Sequence, residues 1–353
     1  ESGRLGRPGW RNANVEFDAD ETGGRARLSL DKGALVFPGL FEQPEIALDG
    51  FATQLAWRVT PQAGAPSALE VTLTDTRFAN ADAQGELSTA HWRTGPGTGF
   101  ARGARFPGQL DLGGRLSRGR AEAVARYLPL RLPERVRHYV EHAVSDGRVT
   151  EATFKVKGDL WDFPFALPSA AASAPGGKTA TAAAPSGEFR ITGKLQDVSL
   201  AYVPPAEPGT PPPWPPFTRV DAELIFDRSS MEIRNAQARL WGVELAKVNG
   251  GIRELHHPVL KLEGQARGPL ADMLRFVNGS PVGGWIGHSL REATAGGTSD
   301  LKLALELPFE DLARSTAQGS LVLGGNDLRI GGSTPQLAGA KARIWDGLLL
   351  SAG

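Results

Sequence analysis

The residues best spaced for chemistry are His138, Glu141 and His142, in the run His138-Tyr139-Val140-Glu141-His142. On a helix, H-x-x-E-H sets two imidazoles one turn apart on one face, the pattern of the inverted zinc proteases. The same helix would use Val136, Val140 and Ala143 as its apolar stripe, and no third ligand can be picked from the sequence. A solvated helix face is therefore the plainer reading, a zinc hydrolase stays a remote alternative, and no catalytic residue, metal ligand or cofactor is assigned. Nine Arg stand against three acids between Arg102 and Arg137. Guanidinium groups can grip phosphate with two parallel hydrogen bonds, although an amphipathic helix with a solvated face accounts for them more simply. The glycine pairs Gly283-Gly284 and Gly324-Gly325 lack phosphate-loop and dinucleotide spacing and read as turns or bulges. With no cysteine there is neither a disulfide nor a thiolate metal site.

The elements that would position these residues form a cassette that occurs twice, over Phe106–Phe165 and His257–Phe309. Each copy opens on a strand of the form L-x-L-x-G. Two short helical patterns follow, broken at Leu128-Pro129 in one copy and at Ser280-Pro281 in the other. A glycine (Gly147; Gly296 and Gly297) and an alternating strand ending in Pro-Phe close each copy. In the first copy Ser117 is the expected N-cap of a helix reaching Tyr127. Pro133 is placed at the first turn of a second helix, with Val136, Tyr139, Val140, Ala143 and Val144 as its stripe. Gly147 is expected to end it in a left-handed conformation.

Outside the helices the chain alternates apolar and polar residues at period two, the mark of strands with one dry face. The candidate lining of that face is Leu28, Leu30, Val71, Leu73, Leu110, Leu112, Phe154, Val156, Phe189, Ile191, Leu224, Phe226, Leu260, Leu262, Leu301, Leu303, Leu305 and Leu307. Such faces are most often closed cores. Here two short helices per copy are too few to cover half a dozen strands, which favours a sheet curled on itself. The expectation is a mainly β fold with short helices: an elongated, repeated, antiparallel sheet forming a groove, with amphipathic helix pairs at about 117–145 and 269–295. A trough of this kind can hold acyl chains by area alone, at ~0.8 kcal/mol per buried methylene. A structural or adhesive rod with a closed core is the alternative.

The organisation that follows is an irregular lead-in (1–24), a first repeat (25–165), a mobile low-complexity insertion (166–186), a second repeat (187–309) and the start of a third (310–353). The formal net charge of zero argues against nucleic acid as a partner. The missing initiator Met and a strand-like end at Leu348–Gly353 suggest a piece of a longer protein.

The runs YLPLRLPERVRHYVEHAVSDGRV and FKVKGDLWDFPF, with their later counterparts GPLADMLRFVNGSP and LKLALELPF, resemble the YhdP branch of the AsmA-like superfamily. The likeness covers most of the chain outside the Ala/Pro-rich insertions and contains no catalytic motif. It implies a periplasmic bridge-like protein, a monomer anchored in the inner membrane by a segment absent from this chain. Phospholipid would be its ligand, and its partners would be components of the inner and outer membranes.

Overall fold

The computed structural model describes residues 6–98, 103–130, 132–165, 187–205, 210–311, 314–324, 326–330 and 348–352. The expected 166–186 insertion and residues 331–347 of the expected third repeat lie outside them. The chain divides into two compact units. Unit 1 comprises Glu1–Glu134, Val149–Gly193 and Ile225–Ser230, and unit 2 the remainder.

Unit 1 is built from β1 (Gly9–Asp20), β2 (Gly23–Val36), β3 (Glu45–Gln62), β4 (Ala65–Ala79), β5 (Ala83–Arg93) and β6 (Gln109–Arg120). Each strand pairs antiparallel with the next. The strands β7 (Val144–Asp159), β8 (Gly187–Leu200) and β9 (Phe217–Asp227) contribute residues to both units. Unit 2 holds nearly all of β10 (Ser230–Leu240), then β11 (Val243–Ile252), β12 (Val259–Pro269), β14 (Thr298–Pro308), β15 (Thr316–Leu323) and β17 (Leu348–Ala352). It also holds α1 (Glu134–Ala143, all but its first residue), α2 (Leu270–Asn278) and α3 (Pro281–Trp285). A separate ladder joins β13 (Thr294–Ala295) to β16 (Leu328–Arg329). The main sheet takes its fifteen strands in chain order and is not closed into a barrel; the β15–β17 pair is parallel. The protein is thus mainly β with short helices, built on a long open antiparallel sheet.

Several strands carry a bulge with a non-glycine residue at positive φ, including Asn12, Asp75, Asn235 and Lys247. The ladder shifts register at these sites. A bulge bends and twists its strand. Local side chains hold the irregular backbone: Asn12 Nδ2 donates to the carbonyls of Asp31 (3.0 Å) and Lys32 (3.2 Å), and Asn235 N donates to Asn249 Oδ1 (2.8 Å).

A 3-10 turn over Ala121–Tyr127 follows β6 and is pinned to the β4–β5 turn. Tyr127 donates its hydroxyl proton to Asp82 Oδ2 (3.0 Å) and accepts from Asn80 Nδ2 (2.9 Å). Arg126 reaches the same Asp82 oxygen at 3.1 Å, and Asn80 Oδ1 caps the backbone N–H groups of Asp82 and Ala83. Asp82 is 5% exposed, so this is a buried carboxylate paid for by fixed partners.

Three sequence expectations are corrected. The lead-in is not irregular, because β1 occupies Gly9–Asp20 and finds a full partner in β2. Ser117 caps no helix: β6 stays paired with β5 as far as Gly119, and Ser117 Oγ donates to Gln84 O. Gly147 does not terminate α1, which ends at Ala143 with β7 starting at Val144. Its positive φ of 123° instead serves a close approach, since a Cβ there would lie 2.5 Å from Val198. By contrast α1 starts directly after Pro133, and the α2–α3 break falls at Ser280-Pro281.

Candidate functional site: apolar sheet faces

Antiparallel register decides which side chains share a face, because directly opposed residues point the same way. In unit 1 one row reads Phe17–Ala26–Leu55–Leu73, and the next reads Trp57–Val71–Trp92–Leu110. A third reads Ala13–Leu30–Phe51–Phe78–Gly85–Leu116. Leu28 lies beside Leu30 opposite Val15 and Thr53, and Leu112 lies opposite Ala90. Leu28, Leu30, Val71, Leu73, Leu110 and Leu112 therefore share one face. Phe154 joins them, its ring resting where a Cβ on Gly114 would be (2.6 Å). At the end of the first cassette Phe163 packs edge-on against Phe165 and Phe189, and Phe165 is 1% exposed. A concavity of about 500 Å³ is lined by Leu30, Phe51, Phe78 and Gly85 together with Arg77, Glu86 and Arg115.

Unit 2 repeats the arrangement. Its rows are Ile233–Gly250–Leu262–Leu305–Ala317 and Met231–Ile252–Leu260–Leu307. A further row is Leu245–Ala266–Leu301–Leu321, and Leu303 lies between Gly264 and Gly319. The register thus gathers Leu260, Leu262, Leu301, Leu303, Leu305 and Leu307 on one face. The helical elements α2 and α3 follow this sheet's β12, with Leu270 and Leu274 buried. Arg275 stacks on the Trp241 ring at 4.0 Å, and Asp272 accepts from Gly242 N at 3.1 Å.

The opposite faces carry the charge. Lys261 pairs with Glu306 (2.8 Å) and Arg267 with Asp300 (3.7 Å) in unit 2. In unit 1 Arg115 pairs with Glu86 (2.9 Å), and Asp111, between the two apolar leucines of β6, pairs with Lys155 and Lys157. The Lys155 ammonium hydrogen-bonded to Asp111 holds that carboxyl below the usual carboxylate range, against a smaller opposing effect of burial. These paired strands therefore set leucines on one side and ion pairs on the other.

Of the lining residues named from sequence, Leu30 is buried and Ile191 is 36% exposed, while the others lie in between. The faces reach further than the sequence reading: Phe51, Leu55, Trp57, Trp92, Leu245 and Leu321 belong to them. Phe51, Leu55 and Trp57 share one period-two series and were accessible to pattern reading. Phe78 was not, because the bulge at Asp75 shifts the parity of β4. The structure also brings His138, Glu141 and His142 together on α1, where only Ala143 is buried and Val136 and Tyr139 remain exposed. Among the described residues no helix is long and apolar enough to cross a membrane.

A family model described as YhdP protein matches residues 5–344. The chain belongs to the YhdP family. Among curated proteins it is similar to the intermembrane phospholipid transporter YhdP of Escherichia coli strain K12, with 22% identity over 192 residues. That match covers 54% of this chain and 13% of the relative, so the chain spans a small part of the YhdP protein it matches. No solved structure matches the chain.

Proposed function

We propose that the apolar sheet faces of this YhdP-family chain hold phospholipid acyl chains, and that the chain is a segment of a protein conducting lipid between the inner and outer membranes. One observation carries the reading. Most of the aligned leucines and aromatics, Leu30 excepted, are only partly buried, whereas a closed core would bury them fully. Among the described residues the fully buried side chains of any size are few, Phe165 and Val198 among them. An apolar surface left partly open has a natural occupant in a hydrocarbon chain, which binds by area and needs no directed polar contact. Rows of Leu, Ile, Val and Ala present no deep polar well, so a chain can shift along them without breaking a specific bond. The family relative's name as an intermembrane phospholipid transporter agrees with this assignment. By the same reading the protein is periplasmic and acts as a monomer without enzymatic chemistry, with Val156, Ile191, Leu224 and Phe226 extending the lining. The two repeats and the partial third are its units.

The test is lipid extraction and native mass spectrometry on chain purified without detergent from a Gram-negative host. Phospholipid at reproducible stoichiometry supports the proposal. A folded, lipid-free chain that takes up no phospholipid from vesicles overturns it in favour of a closed-core rod.

A further inference from the structure

We propose that His138, Glu141 and His142 bind one divalent transition-metal ion of the zinc class on the solvent side of α1. The inference stands apart from the lipid reading, and neither depends on the other. The helix sets the two imidazoles one turn apart with ring centroids at 4.1 Å, and Glu141 projects beside them. One donor atom from each residue lies within 4.8 Å of the other two. A tetrahedral ion about 2.1 Å from each donor needs them ~3.4 Å apart, a closure that side-chain rotations must supply. His138 and Glu141 are exposed and free to make them.

A second feature of the site is the orientation of His142. Its Nδ1 lies 2.9 Å from the His138 carbonyl oxygen. A carbonyl can only accept, so Nδ1 donates there and a neutral ring has its lone pair on Nε2; Glu141 Oε2 lies 4.0 Å from the same Nδ1, so a side-chain rotation must bring Nε2 and the carboxylate together. Metal-bound histidines are commonly oriented this way, with the second ring nitrogen donating to a carbonyl. The donor set, two nitrogens and one carboxylate oxygen with room for water, suits zinc.

The physical consequence is local. The helix α1 has ten residues; Ala143 is its buried side chain, Tyr139 donates to the Tyr202 carbonyl at 3.1 Å, and its outer face is exposed. A helix of that length is marginal by itself. An ion joining positions 138 and 142 closes one turn and fixes the helix, coupling metal binding to local order.

The test uses the full chain with any polyhistidine tag removed and metal stripped by a chelator. Zinc is titrated by calorimetry and by competition with a chromogenic chelator. One equivalent per chain is expected, with affinity at least tenfold weaker in His138→Ala and His142→Gln, both checked for unchanged circular dichroism. Zinc is also expected to slow amide exchange across residues 134–143. The rival site is His256-His257, whose rings contact Glu254 and Glu310 at 3.1 Å. Full-strength binding in His138→Ala, binding lost only in the His256→Ala/His257→Ala double variant, or no stoichiometric binding would each overturn the proposal.

Discussion

Replacing Leu303 with aspartate separates a lipid-holding face from a closed core. Leu303 lies in β14 with glycine on both sides, Gly264 across β12 and Gly319 across β15. Its side chain is partly buried, so losing it forfeits roughly 1–2 kcal/mol of burial. Aspartate in a strand costs roughly another 1 kcal/mol. The sum stays well inside the ~5–15 kcal/mol that stabilises ordinary domains, so the variant is expected to fold. A carboxylate keeps its hydration and excludes hydrocarbon from about one strand width, ~4.8 Å, or roughly four methylenes. On an open face each methylene is covered on one side, so the loss is about half of 0.8 kcal/mol per group. That amounts to roughly 1.5 kcal/mol, or about tenfold in affinity. The assay is phospholipid retained per chain together with transfer of labelled lipid between vesicles. Lys302→Glu, on the charged face of the same strand, is the control and is expected to retain lipid. A variant that unfolds while the parent carries no lipid, or one that retains the parent's full lipid load, refutes the reasoning.

Three further predictions follow from particular contacts. Tyr127→Phe removes one hydrogen bond each from Asn80 and the buried Asp82, which keep Ala47 O and Arg126 as partners, and is expected to cost about 1–2 kcal/mol in urea unfolding, with faster amide exchange over residues 121–127; unchanged stability would contradict this. Burial raises the Tyr127 and Tyr202 phenols above the ordinary value of 10.0, so their contribution is intact below that pH and lost as pH rises through the folded-state values. Ultraviolet titration of the native chain should show both ionising later than in denaturant, and coincident curves would contradict their burial. Gly147→Ala places a methyl 2.5 Å from buried Val198 at a φ of 123° and is expected to lower stability by roughly 2–4 kcal/mol, whereas Gly284→Ala in α3, with open space around it, should be neutral or stabilising by up to ~1 kcal/mol.

The two cassettes look equivalent in sequence but not in space. Phe165 closes the first as a buried ring against Phe163, whereas Phe309, its counterpart in the second, is 44% exposed. The first member of the first expected helix pair is a 3-10 turn, and α3 ends at Trp285. Pattern reading found the alternating strands, the start of α1 and the α2–α3 break because these arise from local periodicity and proline placement. It misjudged where β6 gives way to the turn at Ala121, since strand pairing with β5 outweighed the capping preference of Ser117. It also missed β1, whose charged residues hide its period until β2 supplies a partner.

The sequence by itself determined the class of structure. Period-two alternation commits Leu110, Asp111 and Leu112 to opposite sides of any strand they form, whatever its neighbours, because the pleat has a fixed period. Only the tertiary structure decided which strands meet and in what register. That register aligned Leu262 with Leu305 and Trp57 with Val71, and the bulge at Asp75 turned Phe78 onto the same face. Pairing and bulges depend on hydrogen bonds between residues far apart in the chain, and local periodicity carries no information about them.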